Sequence, residues 1–288
     1  MIGIFDSGVG GLASFSELRR LLPLADIAYL ADRKNAPYGT KKKDVLKRLV
    51  CEDIELLRRL GCNKILIACC TASTVHRELP EESRRISFPI IKQTANAAAG
   101  YRSVAVIATE HTVRSHAFSK EIKASRSALL EGGHPEANTE GVGKVTGADI
   151  ALRTEGGHTD SSDRKSLPPA SPSIGRLTAD WQETEAPLTI AEIAAQELVS
   201  LVEGGGADGR LDAEGRRTLD RVADRIRQEK PEALILGCTH FSHLAGELSA
   251  RLPGCELLIP AKLGARAFAD TVSRDEAHGH GRCIYTEK

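Results

Sequence analysis

Lys64-Ile65-Leu66-Ile67-Ala68-Cys69-Cys70-Thr71 and Ala233-Leu234-Ile235-Leu236-Gly237-Cys238-Thr239-His240 are two versions of one local pattern. In each, a short apolar run ends on a small residue, reaches a cysteine and continues into a helix-like stretch. Runs that are apolar on both faces suit strands of a parallel sheet covered on both sides. The carboxyl ends of such strands form the ligand crevice, which puts both thiols on a functional edge. Ala68 and Gly237, the residues before the thiols, are expected to admit a ligand close to the backbone. The pair reads as a weak internal repeat: two lobes, each offering one thiol to a shared cleft.

Working outward, Ile2 to Phe5, Ile27 to Leu30, Val104 to Ile107 and Glu256 to Ile259 are further buried-strand candidates. Between them, Lys43 to Leu60 places Val45, Leu46, Leu49, Ile54, Leu57 and Leu60 on one helical face, and Ile190 to Val202 reads as a second helix. Strands alternating with helices give an α/β protein. From about Ser125 to Pro187 the composition changes, with Gly132-Gly133, Gly156-Gly157, Ser161-Ser162 and Pro168-Pro169-Ala170-Ser171-Pro172 among scattered apolar residues. Such a stretch buries too little to offset chain entropy, so a mobile surface insertion is expected, with Trp181 marking the return of order.

The 288 residues, 41% hydrophobic, can form two small lobes, and 39 basic against 39 acidic residues leave no charge excess for nucleic acid. The N-terminal stretch lacks the pattern of a signal peptide, and no apolar run approaches the roughly 20 residues of a membrane span. A soluble, cytoplasmic protein is expected. The 7 cysteines are an odd number in a chain too long to need disulfide staples, which suits free thiols in a reducing compartment.

Thiols suit proton transfer at carbon because a thiolate is a base and a thiol an acid, with a pKa that a nearby cation or a helix N-terminus can lower. Two thiols facing one cleft fit the inversion of an amino acid at its α-carbon, where one group removes a proton and another returns one to the opposite face. A buried cysteine alone more often fills a core, and Cys51, Cys62, Cys255 and Cys283, which have no strand-end setting, are read as structural or incidental. His240 stands two residues beyond Cys238, and Asp6 ends the first strand, so each can assist a thiol, although Asp6 is also a plausible helix cap. Asp6-Ser7-Gly8-Val9-Gly10-Gly11 lacks dinucleotide spacing and better fits a substrate carboxylate. Pro37-Tyr38-Gly39-Thr40 is a turn offering a hydroxyl and amides.

With these residues, the chain resembles the glutamate racemases of the aspartate/glutamate racemase superfamily. The resemblance is carried by Ile4 to Gly11, Asn35-Ala36-Pro37-Tyr38-Gly39, Ile67 to Ser73, Val106 to Ser115 and Leu236 to Phe241. It implies two α/β lobes, each a mainly parallel sheet flanked by helices, with the active site in the cleft between them. Residues 1–94 and 261–288 would form the lobe carrying Asp6 and Cys69, and residues 95–260 the lobe carrying Cys238 and His240. It implies that Cys69 and Cys238 are the catalytic bases, supported by Asp6, His240 and, through Leu201-Val202-Glu203, by Glu203. Asp6, Ser7, Tyr38, Gly39, Cys70, Thr71, Thr112, Thr239 and His240 would bind glutamate. No cofactor and no metal are implied, and D-glutamate would go to peptidoglycan. The partner is the small-molecule substrate, with no nucleic acid and no membrane; a homodimer is admitted.

The chain departs from the family pattern at several points. Cys70 stands where the family has an asparagine that can hydrogen-bond substrate, His111 and His116 replace glycines, Ser242-His243 replaces Pro-Leu, and Glu-Pro-Gly is missing around Gln93-Thr94-Ala95. Three rival readings follow: an aspartate or other two-thiol racemase, a non-catalytic homologue kept for binding or regulation, and a zinc site from Cys69, Cys70, Cys238, His240 and His243. The last lacks the usual ligand spacing.

Overall fold

The computed structural model describes residues 1–131, 187–203 and 211–288. Its strands are β1 (Ile2–Asp6), β2 (Ile27–Ala31), β3 (Lys64–Ile67), β4 (Ser87–Pro89), β5 (Ser103–Ala108), β6 (Thr189–Ala194), β7 (Ala233–Gly237), β8 (Glu256–Leu258) and β9 (Cys283–Glu287). They form two sheets in the orders β4-β3-β1-β2-β9 and β6-β5-β7-β8, and every pairing is parallel. The helices are α1 (Leu12–Leu21), α2 (Lys43–Arg59), α3 (Cys70–Ser73), α4 (Glu81–Ile86), α5 (Ile90–Ala98), α6 (Glu110–Ser115), α7 (Ala117–Leu130), α8 (Gln196–Glu203), α9 (Ala213–Gln228), α10 (Ala245–Arg251), α11 (Pro260–Ala269) and α12 (Arg274–Ala277). This is the two-sheet α/β architecture expected from the repeated strand ends.

An apolar layer joins the sheets. Ile2, Ile4 and Tyr29 of the first sheet share one buried cluster with Val104, Val106, Ala233 and Ile235 of the second, together with Ile90 and Ile91 of α5 and Phe268 of α11. Each large side chain fully buried there contributes about 1.5–3 kcal/mol, so the lobes are held by core packing as well as by contacts at the cleft. The spacing of α2 buries Leu46, Leu49, Val50, Ile54 and Leu57, while Val45 and Leu60, expected on the same face, are each 37% exposed on its flanks.

The helix expected from Ile190 to Val202 is instead a strand followed by a helix. Thr189 to Ala194 pair in register with Ser103 to Ala108, and only from Gln196 does the chain turn helical. Ile190, Ile193 and Leu198 fit either periodicity, and a partner strand more than eighty residues away in sequence decides. Strands β4 and β9 are hard to read from sequence because one is three residues long and the other is a short edge strand at the end of the chain whose Cys283, Ile284 and Tyr285 are exposed.

The proposed insertion boundary also moves. Ser125 to Leu130 complete α7, where Ser125 donates to Asn96 Oδ1 at 2.6 Å and Arg126 donates to the carbonyls of Ala99 (3.1 Å) and Tyr101 (2.8 Å). Residues 132–186 of the expected insertion, Trp181 included, lie outside the described residues. His116, one of the departures from glycine, joins α6 to α7 in the left-handed region (φ 53°, ψ 29°), a conformation that glycine enters without steric cost.

Candidate active site

β1 delivers Asp6 to the cleft. Its Oδ2 accepts from the Gly8 amide at 3.0 Å, and its Oδ1 accepts from the Thr239 hydroxyl of the other lobe at 3.3 Å. β3 delivers Cys69, the cap of α3, whose sulfur accepts from the Ala72 amide at 3.5 Å and lies 3.6 Å from the Ser7 hydroxyl. β7 delivers Cys238, followed by the 3₁₀ turn Thr239–Leu244. The Cys238 sulfur is 3.6 Å from His240 Nδ1, and His240 Nε2 is 3.4 Å from Glu203 Oε1 on α8. A carboxylate at Nε2 favours a proton there, which leaves Nδ1 free to accept the Cys238 proton.

The lobes meet without side chains to spare. A Cβ on Gly10 would lie 2.5 Å from Thr239 Oγ1 and 3.0 Å from the His240 amide nitrogen. One on Gly39 would lie 2.7 Å from Thr109 Cβ. Gly237, by contrast, has a packing reason: a Cβ there would lie 2.9 Å from the Ile107 carbonyl oxygen and 3.0 Å from Ala108 Cβ and the Phe118 ring, so its small size is accounted for by the interior of the second lobe.

Ser7, Gly39, Cys69, Cys70, Thr71, Glu203, Cys238, Thr239 and His240 line one cavity of about 400 Å³, its mouth included. Three sequence-read residues stand behind this wall. Asp6 is fully buried beneath it, and Thr112 bonds Thr71 (3.2 Å) and Thr109 (3.0 Å) in a ring of hydroxyls. The hydroxyl of Tyr38 turns the other way, into the first lobe, where it lies 2.6 Å from both Asp32 Oδ2 and Asp53 Oδ2. Tyr38 therefore shapes the Gly39 turn, and the offer of its hydroxyl to a ligand is corrected. Ala36, Pro37, Thr109, Gln196 and Val199 also line the cavity, and none of them is among the binding residues that the resemblance implies. Gln196, Val199 and Glu203 share one face of α8, a signal hidden while Ile190 to Val202 read as a single helix.

Neither thiol is acidified by its surroundings. Burial, reinforced by the Asp6 carboxylate, pushes Cys69 up to about 12. Burial likewise raises Cys238 and Cys70, with neighbouring thiols adding to the effect. A thiol held protonated is a ready acid, and once ionised it is a stronger base than an ordinary thiolate.

Asp53, pushed up to about 6 by burial and then by Asp32, against the lowering effects of Tyr38 and Lys288, takes up a proton as the pH falls through that value. A raised carboxyl pKa contributes stability that is complete below the ordinary value of 3.8 and is lost as pH rises through about 6. The loss should be on the order of 3 kcal/mol. Thermal unfolding of Asp53→Asn against the parent chain is expected to show the parent losing Tm relative to the variant between about pH 4 and 6. Parallel curves would place the proton elsewhere.

Cys70 is 1% exposed on the cavity wall, where a carboxamide would have both a donor and an acceptor for a ligand. Cys70→Asn is expected to lower KM for the substrate by a factor matching about 0.5–1.5 kcal/mol, the net worth of one hydrogen bond. An unchanged KM would mean that the pocket already supplies that contact.

Known proteins match over nearly the whole chain. A glutamate racemase of Thermus thermophilus is 30% identical over 293 residues, covering 99% of this chain and 85% of the relative. One of Koribacter versatilis is 38% identical over 274 residues, covering 93% and 73%. The crystal structure of glutamate racemase from Thermus thermophilus in complex with β-chloro-D-alanine is similar with a TM-score of 0.65 at 28% identity, covering 99% of this chain and 86% of that one. No protein-family model matches the chain.

Proposed function

The chain belongs to the glutamate racemase family of isomerases, and from that premise we propose that it interconverts L- and D-glutamate by proton transfer between two thiols. The observation that carries this reading is the arrival of Cys69 and Cys238 from two lobes at one buried cavity. In the forward direction one cysteine, as thiolate, takes the α-proton and leaves a carbanion. The other, as thiol, gives its proton to the opposite face. The enzyme ends with its protonation states exchanged, ready for the reverse enantiomer.

The remaining groups divide between the thiols. His240, held by Glu203, accepts the proton of Cys238 when that sulfur must ionise. Ser7 and the Ala72 amide can hydrogen-bond the Cys69 thiolate. The substrate ammonium brings a positive charge beside sulfurs that burial otherwise keeps neutral. Asp6, bonded to Thr239 across the cleft, ties ionisation on one side to the position of the other. The product D-glutamate would serve peptidoglycan synthesis in the cytoplasm. Among the described residues, no helix is long and apolar enough to cross a membrane.

The reading is tested by incubating purified protein, without added pyridoxal phosphate or metal, with each enantiomer of glutamate and of aspartate, and following optical rotation to equilibrium. Inversion of both glutamate enantiomers is expected. Inversion of aspartate alone would move the substrate assignment, and activity seen only with pyridoxal phosphate would overturn the mechanism.

A further inference from the structure

Ala195 donates its amide to the Ala108 carbonyl at 2.9 Å, which carries the β6–β5 pairing to the carboxyl edge of the sheet. The next residue, Gln196, opens α8 at that edge and faces the cavity with Val199 and Glu203. Glu203 has its partner in His240, and Val199 is apolar. Gln196 differs from both. Its side-chain carbonyl Oε1 is buried and has no hydrogen-bond partner.

An unsatisfied buried acceptor is costly and is retained where something outside the folded chain satisfies it. Glutamate at neutral pH narrows what that can be. Its two carboxylates only accept, and its α-ammonium is the one group that donates. We propose that Gln196 is a substrate-binding residue whose carbonyl accepts a hydrogen bond from the α-ammonium of the amino acid, an assignment that rests on the racemase reading above. The neighbouring wall supports it. Cys70, where the family pattern has a carboxamide, hydrogen-bonds weakly, and Gln196 returns a carboxamide to the same cavity from the opposite lobe. Fixing the ammonium there would orient the α-carbon between the two sulfurs and keep a positive charge near the thiolate.

The test is steady-state kinetics on the full chain, with Gln196→Leu, Gln196→Asn and the parent assayed on both enantiomers, and competition by glutarate, which keeps both carboxylates and lacks the ammonium. Gln196→Leu is expected to raise KM for both enantiomers about 10- to 100-fold, the range for a hydrogen bond to a charged group, and to change the apparent affinity for glutarate by less than about twofold. Gln196→Asn, with the carbonyl one methylene short, should fall between. An unchanged KM in Gln196→Leu, or equal weakening of glutamate and glutarate, overturns the assignment. If Gln196→Leu fails to fold, Gln196→Asn carries the same comparison. An inactive parent chain removes the racemase reading and this assignment with it; an active parent with an indifferent Gln196→Leu removes this assignment alone.

Discussion

Cys69→Ser and Cys238→Ser are each expected to lower glutamate racemisation by roughly 10³-fold or more, since a hydroxyl neither ionises at neutral pH nor returns a proton as a thiol does, and loss of an acid/base group alone costs about 10²–10⁴-fold. The two variants should part company on a substrate that needs only the first proton transfer. With β-chloroalanine, abstraction of the α-proton by one thiolate lets chloride leave, and the aminoacrylate so formed hydrolyses to pyruvate and ammonia. Each variant should therefore eliminate from one enantiomer and fail with the other. By the family resemblance, Cys69 is expected to abstract from the D-enantiomer and Cys238 from the L-enantiomer. On that orientation Cys238→Ser keeps elimination from β-chloro-D-alanine and Cys69→Ser keeps it from the L-form. Retention of the same enantiomer by both variants would mean that the sulfurs do not flank the α-carbon.

Gly10→Ala is expected to reduce kcat/KM by about 10²-fold, the scale on which a displacement of about 1 Å of reacting groups is felt, while leaving most of the fold intact. The reason is local. The new methyl would lie 2.5 Å from Thr239 Oγ1, 2.9 Å from Thr239 Cβ and 3.0 Å from the His240 amide nitrogen, so the Thr239–His240 backbone must give way. That movement would loosen the bond from Thr239 to Asp6 and carry His240 away from Cys238. The contacts displaced, Thr239 and His240, lie at the cleft and outside the apolar layer that joins the sheets, so the thermal midpoint should fall far less than activity does. Unimpaired turnover would show that the cleft accommodates a wider separation of the lobes than its glycines suggest.

Much of this was legible in the chain because the decisive signals are local. The strand ends at Cys69 and Cys238 are each written in eight consecutive residues, and a buried parallel strand needs no distant information to be recognised. Hidden from the sequence was whatever depends on a distant partner. Thr189 to Ala194 become a strand because β5 lies open beside them, and the phenol of Tyr38 turns inward because Asp32 and Asp53 form an acceptor pair in the core. Gln196 belongs to the same class. Nothing in its own neighbourhood distinguishes it until strand and helix are separated and one face of α8 is seen to meet the cleft. The direction of the thiol pKa shifts is of the same kind, since burial comes from the whole assembly rather than from the residues beside each sulfur.

The most direct measurement of the central claim is inversion of L-glutamate in deuterium oxide at early conversion, with the α-hydrogen of both enantiomers followed by mass spectrometry after chiral separation. Two thiols on opposite faces predict that the D-glutamate formed carries deuterium at the α-carbon while the remaining L-glutamate keeps its protium, because the proton taken by one sulfur is not the one delivered by the other. D-glutamate that retains the original protium, or deuterium appearing in the remaining L-glutamate as fast as inversion proceeds, would place both transfers on a single base and contradict the account.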